Sequence, residues 1–285
     1  MTPPTVAQAL GEARAAGIER LDAQRLLAQV LAQPRSWLIA HDDAVLNAAQ
    51  AASFQAGLAR LTDGEPLAHV LGEHEFHGLL LHVNAQVLVP RADTEVLVDW
   101  ALDILRTGPP APAVLDLGTG SGAIAVALAH ACPLAQVCAV DASPAALDVA
   151  RANGARLGLR VEWLLSDWWA ALAQRCFDLI VSNPPYIAGD DAHLAALRHE
   201  PRMALTPGGD GLDALRQIAA GATRHLRPGS WLLLEHGHDQ AAAVSALLHA
   251  HGLHDVQTRH DLAGHPRCTG ARLAAARVDT RPQIP

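Results

Sequence analysis

The sequence predicts a doubly wound Rossmann-like α/β sheet, mostly parallel with an antiparallel last strand, joined by a β-hairpin linker to a small N-terminal helical domain. Three observations predict it. Short apolar runs at 114–117, 136–140, 161–165 and 177–182 alternate with helical patterns, as the strands of a parallel sheet do. The first run passes straight into Gly118-Thr119-Gly120-Ser121-Gly122 and then into a small-residue helix at 123–131, a strand, glycine turn and helix in succession. Before residue 72 the apolar spacing is helical throughout.

In chain order, Thr5 and Gln8 have the spacing of a capping box, which opens a helix to about Ala16. Apolar residues recur at helical spacing over 22–32, with Leu26, Leu27, Val30 and Leu31 on one side, and Pro34 is expected to end that helix. A third helical pattern spans 46–61 and closes at Asp63-Gly64; a short one follows at 66–71. Residues 73–89 turn extended and predict the hairpin. A helix from about Thr94 to Arg106 and the proline-rich 108–112 lead into the sheet. The later strands are expected at 230–235, 255–259 and 268–273, the last two as an antiparallel hairpin. The expected division is 1–72 helical, 73–92 linker, 93–277 sheet domain and a disordered tail over 278–285.

Composition narrows the class. At 285 residues, half of them apolar, the chain can build two domains around sizeable cores. Cys132, Cys138, Cys176 and Cys268 show neither C-x-x-C spacing nor a disulfide framework, and sixteen histidines are scattered without ligand spacing, so no metal site is expected. There is no lysine and the net charge is −8, which argues against a duplex phosphate backbone as main partner; no direct nucleic-acid contact is expected. Residues 1–7 have no basic region ahead of an apolar core. The most apolar stretch, 122–140, is broken by His130, Pro133 and Gln136. A cytoplasmic, monomeric protein without a membrane span is expected.

Ligands of open α/β sheets sit outside the carboxyl ends of the strands, and four ends here carry suitable groups. The glycine turn lets a ligand approach the backbone, and the amides at the start of the following helix favour a negative group. Its G-x-G-x-G spacing is the form of S-adenosylmethionine sites rather than the G-x-G-x-x-G of dinucleotide sites, which weakens a nicotinamide reading and leaves a mere tight connection open. Asp141, about twenty residues further on, can accept both hydroxyls of a ribose; the alternative is a cap for the helix begun by Ser143-Pro144. Asp167-Trp168 suits an adenine, the acid taking the exocyclic amine and the indole stacking, while Trp169 is read as packing against the sheet. Asn183-Pro184-Pro185-Tyr186 contains the only tyrosine. Two prolines stiffen this loop, and the asparagine offers an acceptor in a fixed direction beside an aromatic face; a proline-terminated turn is the plain alternative.

Jointly the four strand ends resemble the class I S-adenosylmethionine-dependent methyltransferases, and the Asn-Pro-Pro-Tyr loop resembles those acting on a planar amide or amino nitrogen. Gly64-Glu65-Pro66-Leu67, Glu75-Phe76, Val89-Pro90-Arg91-Ala92-Asp93-Thr94-Glu95, Glu200-Pro201 and Ala204-Leu205 narrow the likeness. From about Thr5 to Leu273 the chain resembles the release factor glutamine N5-methyltransferases of the PrmC/HemK type. The Asp-Thr-Glu ending separates it from the related family that methylates a ribosomal large-subunit protein. Ala92 and His82 stand where the family commonly has proline and an aromatic, both outside the expected cofactor and amide sites.

The resemblance implies S-adenosylmethionine as cofactor, held by Gly118, Thr119, Gly120, Ser121 and Gly122, with Asp141, Asp167, Trp168 and Asn183. It implies that Asn183, Pro184, Pro185 and Tyr186 hold the substrate glutamine, and that Asn183, Pro184 and Tyr186 are catalytic. The Asn183 side-chain oxygen and the Pro184 carbonyl would accept the two amide hydrogens while Tyr186 stacks on the amide. The partner implied is a class 1 peptide chain release factor, methylated in its Gly-Gly-Gln loop and held in part by the helical domain, with translation termination as the process modulated. N6-adenine methylation of DNA or RNA would suit the same loop but needs a flipped base, and the acidic balance disfavours it. A non-catalytic S-adenosylmethionine-binding scaffold would have no need to orient a methyl acceptor.

Overall fold

A computed structural model of the chain describes residues 3–275. They divide into two compact units. One runs to His74 and takes in Val83–Ala85; the other comprises Glu75–His82 and the described residues from Gln86 on. The tail expected over 278–285 lies outside the described residues.

The first unit is helical: α1 (Val6–Ala15), α2 (Arg20–Leu31), α3 (Arg35–Ala40), α4 (Ala48–Thr62) and α5 (Leu67–Leu71). The capping box forms, Gln8 N donating to Thr5 Oγ1 at 3.3 Å and Thr5 N to Gln8 Oε1 at 2.9 Å. A second box, Asn47 with Gln50, opens α4 two residues later than the apolar pattern suggests. Helix α2 ends at Ala32 in the left-handed conformation (φ 51°), before Pro34, which instead heads the unforeseen α3 with its fixed φ of −68°. Leu26, Leu27, Leu38, Phe54 and Leu58 form the core of this unit.

Next come a hairpin, β1 (Glu73–Phe76) and β2 (Leu79–His82), and then α6 (Glu95–Thr107), β3 (Ala113–Leu117), α7 (Ala123–Ala131), β4 (Gln136–Asp141), α8 (Pro144–Arg156), β5 (Val161–Leu165) and β6 (Phe177–Ser182). The chain continues through α9 (Arg202–Leu205), α10 (Asp213–His225), β7 (Leu226–Glu235), α11 (Ala241–Ala250), β8 (Leu253–His260) and β9 (Pro266–Leu273). Helices α9, α10 and α11 lie outside the expected elements. The last two are rich in alanine, so small residues carry their apolar stripes.

The seven-stranded sheet has the order β5-β4-β3-β6-β7-β9-β8. Pairing is parallel from β5 to β7, and β9 runs against both of its neighbours. Strand residues alternate between two cores: Val114 joins Leu97 and Trp100 of α6, whereas Leu115 and Leu117 join Leu215 and Ile218 of α10 and Val244 of α11. Strand order reverses between β3 and β6, the switch point at which doubly wound folds open a crevice.

Gly270 in β9 tests this packing. A Cβ there would lie 2.4 Å from Leu233 Cδ2 and 2.8 Å from Trp100 Cη2. Gly270→Ala is expected to cost about 1–3 kcal/mol, read as a lower urea midpoint at unchanged slope. An unaltered midpoint would refute the packing of Trp100 on β9.

Candidate active site

The carboxyl ends of β3, β4, β5 and β6 converge on one cleft within the second unit, lined by the glycine turn, Asp141, Asp167, Trp168, Asn183 and Pro185. Gly118, Gly120 and Gly122 all have positive φ (72°, 55° and 83°), so the turn requires glycine at each. The amides of Gly118 and Thr119 both donate to Val140 O at 2.9 Å, which ties the turn to β4. Gly122 does not line the cleft. It caps α7, and a Cβ there would lie 3.1 Å from both Ala150 and Trp163.

Beneath the turn, Thr119 Oγ1 donates to Asp116 Oδ2 at 2.6 Å. Burial pushes the Asp116 carboxyl up to about 7 against that hydrogen bond, and the nearby Asp141 charge pushes the same way. Asp141 itself accepts from Gly120 N (2.8 Å) and Ser143 N (2.9 Å). Burial raises its pKa while these backbone donors oppose the rise. The cap of α8 is Ser143, whose Oγ accepts from Ala146 N at 3.2 Å. The Asp141 carboxylate is therefore not used as the cap; it is fixed at the cleft with lone pairs to spare.

Trp168 adopts φ 45°, a conformation costing a bulky residue about 1–3 kcal/mol. Ser166 holds it there, its Oγ donating to Trp168 O at 2.8 Å and accepting from Ala171 N at 3.0 Å. The indole lies over Gly118, 3.6 Å from the position of a Cβ. Trp169 packs against the core shared by the sheet and α10, where Nε1 donates to Gln217 O at 3.1 Å and the ring stacks on His225 at 4.7 Å.

In the Asn-Pro-Pro-Tyr loop, Asn183 and Pro185 line the cleft, whereas the Pro184 side chain is buried and Tyr186 is absent from the lining. Asn183 Nδ2 donates to Thr94 Oγ1 at 3.1 Å. Tyr186 is held at two points: its Oη donates to Glu235 Oε1 at 3.2 Å, and its carbonyl accepts from Gln240 Nε2 at 3.0 Å. Glu235, at the end of β7, is buried, which pushes its carboxyl up to about 7 against the influence of the Thr94 and Tyr186 hydroxyls. Burial, then the Glu235 charge, raises the Tyr186 phenol in turn.

Sequence reasoning missed Glu235 and Gln240, which no local pattern marks. It also gave no site role to Gln86, Leu88 and Met203, which line the cleft. Two segments read from the sequence as separate are physically joined: Val89 N donates to the buried Glu200 Oε2 at 2.9 Å, and the Arg91 guanidinium pairs with the same carboxylate. That junction brings Pro90 and Pro201 to one rim. Ala92 begins a 3-10 turn, Ala92–Thr94; His82 is exposed and exchanges backbone hydrogen bonds with the Asn153 amide. Among the described residues no group of three or more His, Cys, Asp or Glu could hold a metal ion, and no helix is long and apolar enough to cross a membrane.

Comparison with known proteins agrees with this geometry. Residues 95–216 match the Methyltransferase small domain family, and residues 5–72 match the PrmC N-terminal domain. A release factor glutamine methyltransferase of Bordetella pertussis is 53% identical over 260 residues, 90% of this chain and 96% of that protein. One from Burkholderia pseudomallei is 50% identical over 281 residues, 95% and 98% of the two chains. A methyltransferase structure from Pyrococcus furiosus shares the fold, with a TM-score of 0.52 at 17% identity over 76% of this chain and 97% of that one. With half its residues shared along nearly its whole length, this chain belongs to the release factor glutamine methyltransferase family and is an enzyme of that kind.

Proposed function

We propose that this enzyme transfers a methyl group from S-adenosylmethionine to the side-chain amide nitrogen of the glutamine in the Gly-Gly-Gln loop of class 1 peptide chain release factors, acting as a cytoplasmic monomer. One observation carries the chemistry: Asn183 and Asp141 share a cleft, and the Asn183 amide nitrogen is committed to Thr94, so its oxygen is the end left to an incoming amide. The relatives from Bordetella pertussis and Burkholderia pseudomallei, both release factor glutamine methyltransferases, support the substrate.

The residues fit the cofactor. Asp141 has lone pairs beyond its two backbone bonds for ribose hydroxyls, Trp168 offers an indole face for adenine beside Asp167, and the glycine turn clears space for a close approach. Bound there, S-adenosylmethionine supplies a methyl on a sulfonium. A glutamine amide nitrogen is a poor nucleophile because its lone pair is delocalised into the carbonyl. Asn183 Oδ1 and the Pro184 carbonyl each accept one of its hydrogens from outside the amide plane, which favours a pyramidal nitrogen and aims the lone pair. Tyr186, fixed at hydroxyl and carbonyl, is assigned the stacking face. Transfer would exchange the S–C bond for an N–C bond and leave the amide cationic and strongly acidic, so that its proton would pass to water or a carbonyl. No strong base is needed, and catalysis is orientation by placed dipoles.

Three outcomes are expected. Asp141→Ala should weaken S-adenosylmethionine binding by about 1.5–3 kcal/mol with the fold intact, and calorimetry giving unchanged affinity would exclude the ribose role. Asn183→Ala should lower single-turnover methylation about 10²–10³-fold at saturating cofactor, with Asn183→Asp retaining more because it keeps an acceptor; a loss under about threefold, less than 1 kcal/mol, would defeat the mechanism. An intact release factor should be methylated far better than a short Gly-Gly-Gln peptide, since distant contacts position the glutamine. Equal kcat/KM on the two would remove the docking role of the helical unit, and robust activity on adenine in DNA would remove the substrate assignment.

A further inference from the structure

We propose that Glu200 is a positioning residue for the methyl acceptor: its carboxylate joins the segments that brace the two ends of the Asn-Pro-Pro-Tyr loop, and the closed ring so formed sets where the loop stands in the cleft. The inference rests on the role proposed for Asn183.

The ring can be followed contact by contact within the second unit. Glu200 Oε2 accepts from Val89 N at 2.9 Å, and Oε1 pairs with the Arg91 guanidinium. Arg91 O accepts from Thr94 N at 3.0 Å across the 3-10 turn, and Thr94 Oγ1 accepts from Asn183 Nδ2 at 3.1 Å. On the other side of the loop Ile187, directly after Tyr186, donates its N–H to Leu205 O at 3.0 Å. Leu205 ends α9, and the Pro201 carbonyl accepts from Ala204 N at 2.9 Å, so this turn hangs directly on Glu200. The loop is thus braced at both ends. The two braces meet at one carboxylate.

Little else anchors the excursion that carries this residue. Among the described residues from Pro185 to Ala204, Glu200 is the only buried one. An apolar anchor holds a segment down without fixing its direction. A carboxylate gripped by a main-chain amide and a guanidinium fixes both, and charge-assisted bonds are the stronger kind. What it fixes lies at the site: Pro90 and Pro201, each next to a residue of the clasp, line the cleft together with Asn183 and Pro185. Val89, Arg91 and Glu200 belong to none of the three apolar cores, so opening the clasp leaves the packing of the fold in place.

The two partners are not equivalent as targets. The Glu200 side chain is 1% exposed and that of Arg91 40%, so removing the arginine would strand a buried charge, whereas removing the carboxylate leaves a guanidinium that water can reach. The test therefore compares Glu200→Ala, Glu200→Gln, Asn183→Ala and the Glu200→Ala/Asn183→Ala double variant by single-turnover methylation of an intact release factor at saturating cofactor. Rates are expressed per cofactor-binding site counted by calorimetry, which removes any loss due to unfolded protein. Glu200→Ala should lower the rate constant about tenfold or more while cofactor affinity stays within about threefold. Glu200→Gln keeps an acceptor for Val89 N and should fall between the wild type and the alanine variant; it carries the test if Glu200→Ala does not fold. In the Asn183→Ala background Glu200→Ala should add less than about threefold, because most of what the ring positions is then gone. Near-normal turnover by the Glu200 variants while Asn183→Ala is impaired, a fall in cofactor affinity as large as the fall in rate, or losses that multiply in the double variant would each overturn the proposal. An unimpaired Asn183→Ala would instead overturn the reading of Asn183 on which it stands.

Discussion

Parallel pairing of β3 with both β4 and β6 forces the chain to leave the centre of the sheet in opposite directions, and every feature of the site depends on that divergence. From β3 the chain returns through α7 to β4; from β6 it returns through α10 to β7, packed in the other core. Loops at the two carboxyl ends are thereby parted, and a ligand can reach main-chain amides that helices would otherwise cover. The glycine turn exploits the gap at β3 and the Asn-Pro-Pro-Tyr loop at β6, while Asp141 and Trp168 come from the outer strands on one side. One sheet thus sets four groups at fixed separations.

This arrangement is held at a cost in local stability. Trp168 sits in a backbone region that a bulky residue avoids, and Asp116 and Glu235 are buried carboxyls whose ionised forms the interior penalises. All three border the cleft or the loop that lines it. The surrounding cores are apolar and closely packed, with Leu115, Leu117, Ile180 and Leu232 fully buried, so the scaffold can carry such penalties where the chemistry needs them.

How much of this was legible in the sequence varied with the range of the interaction. The Thr5–Gln8 box and the glycine turn are local and read directly, as do the strand-end positions of Asp141 and Asn183. Helix α3 is too short to show periodicity, and α11 is apolar on most sides and gives weak contrast, whereas α10 carries a clear apolar stripe through Leu215, Ile218, Ala219 and Ala222 that was legible and went unread. The end of α2 was legible to within one residue but its cause was not: Ala32 takes the left-handed conformation before Pro34 can act, a preference alanine does not advertise. Trp169 was read as packing on the sheet, but its bond to Gln217 and its stacking on His225 were not legible because α10 was not foreseen. The ties that orient the loop cross 89 residues from Asn183 to Thr94 and 49 from Tyr186 to Glu235, separations that leave no local pattern.

These limits have a common cause. A residue that touches a ligand must have a particular chemistry at a particular strand end, and that requirement marks the sequence. A residue that aims it needs only to be a donor or an acceptor at the right point in space, and any part of the chain can supply one. In an enzyme whose proposed chemistry uses no base and no metal, most of the rate must come from how accurately dipoles are aimed.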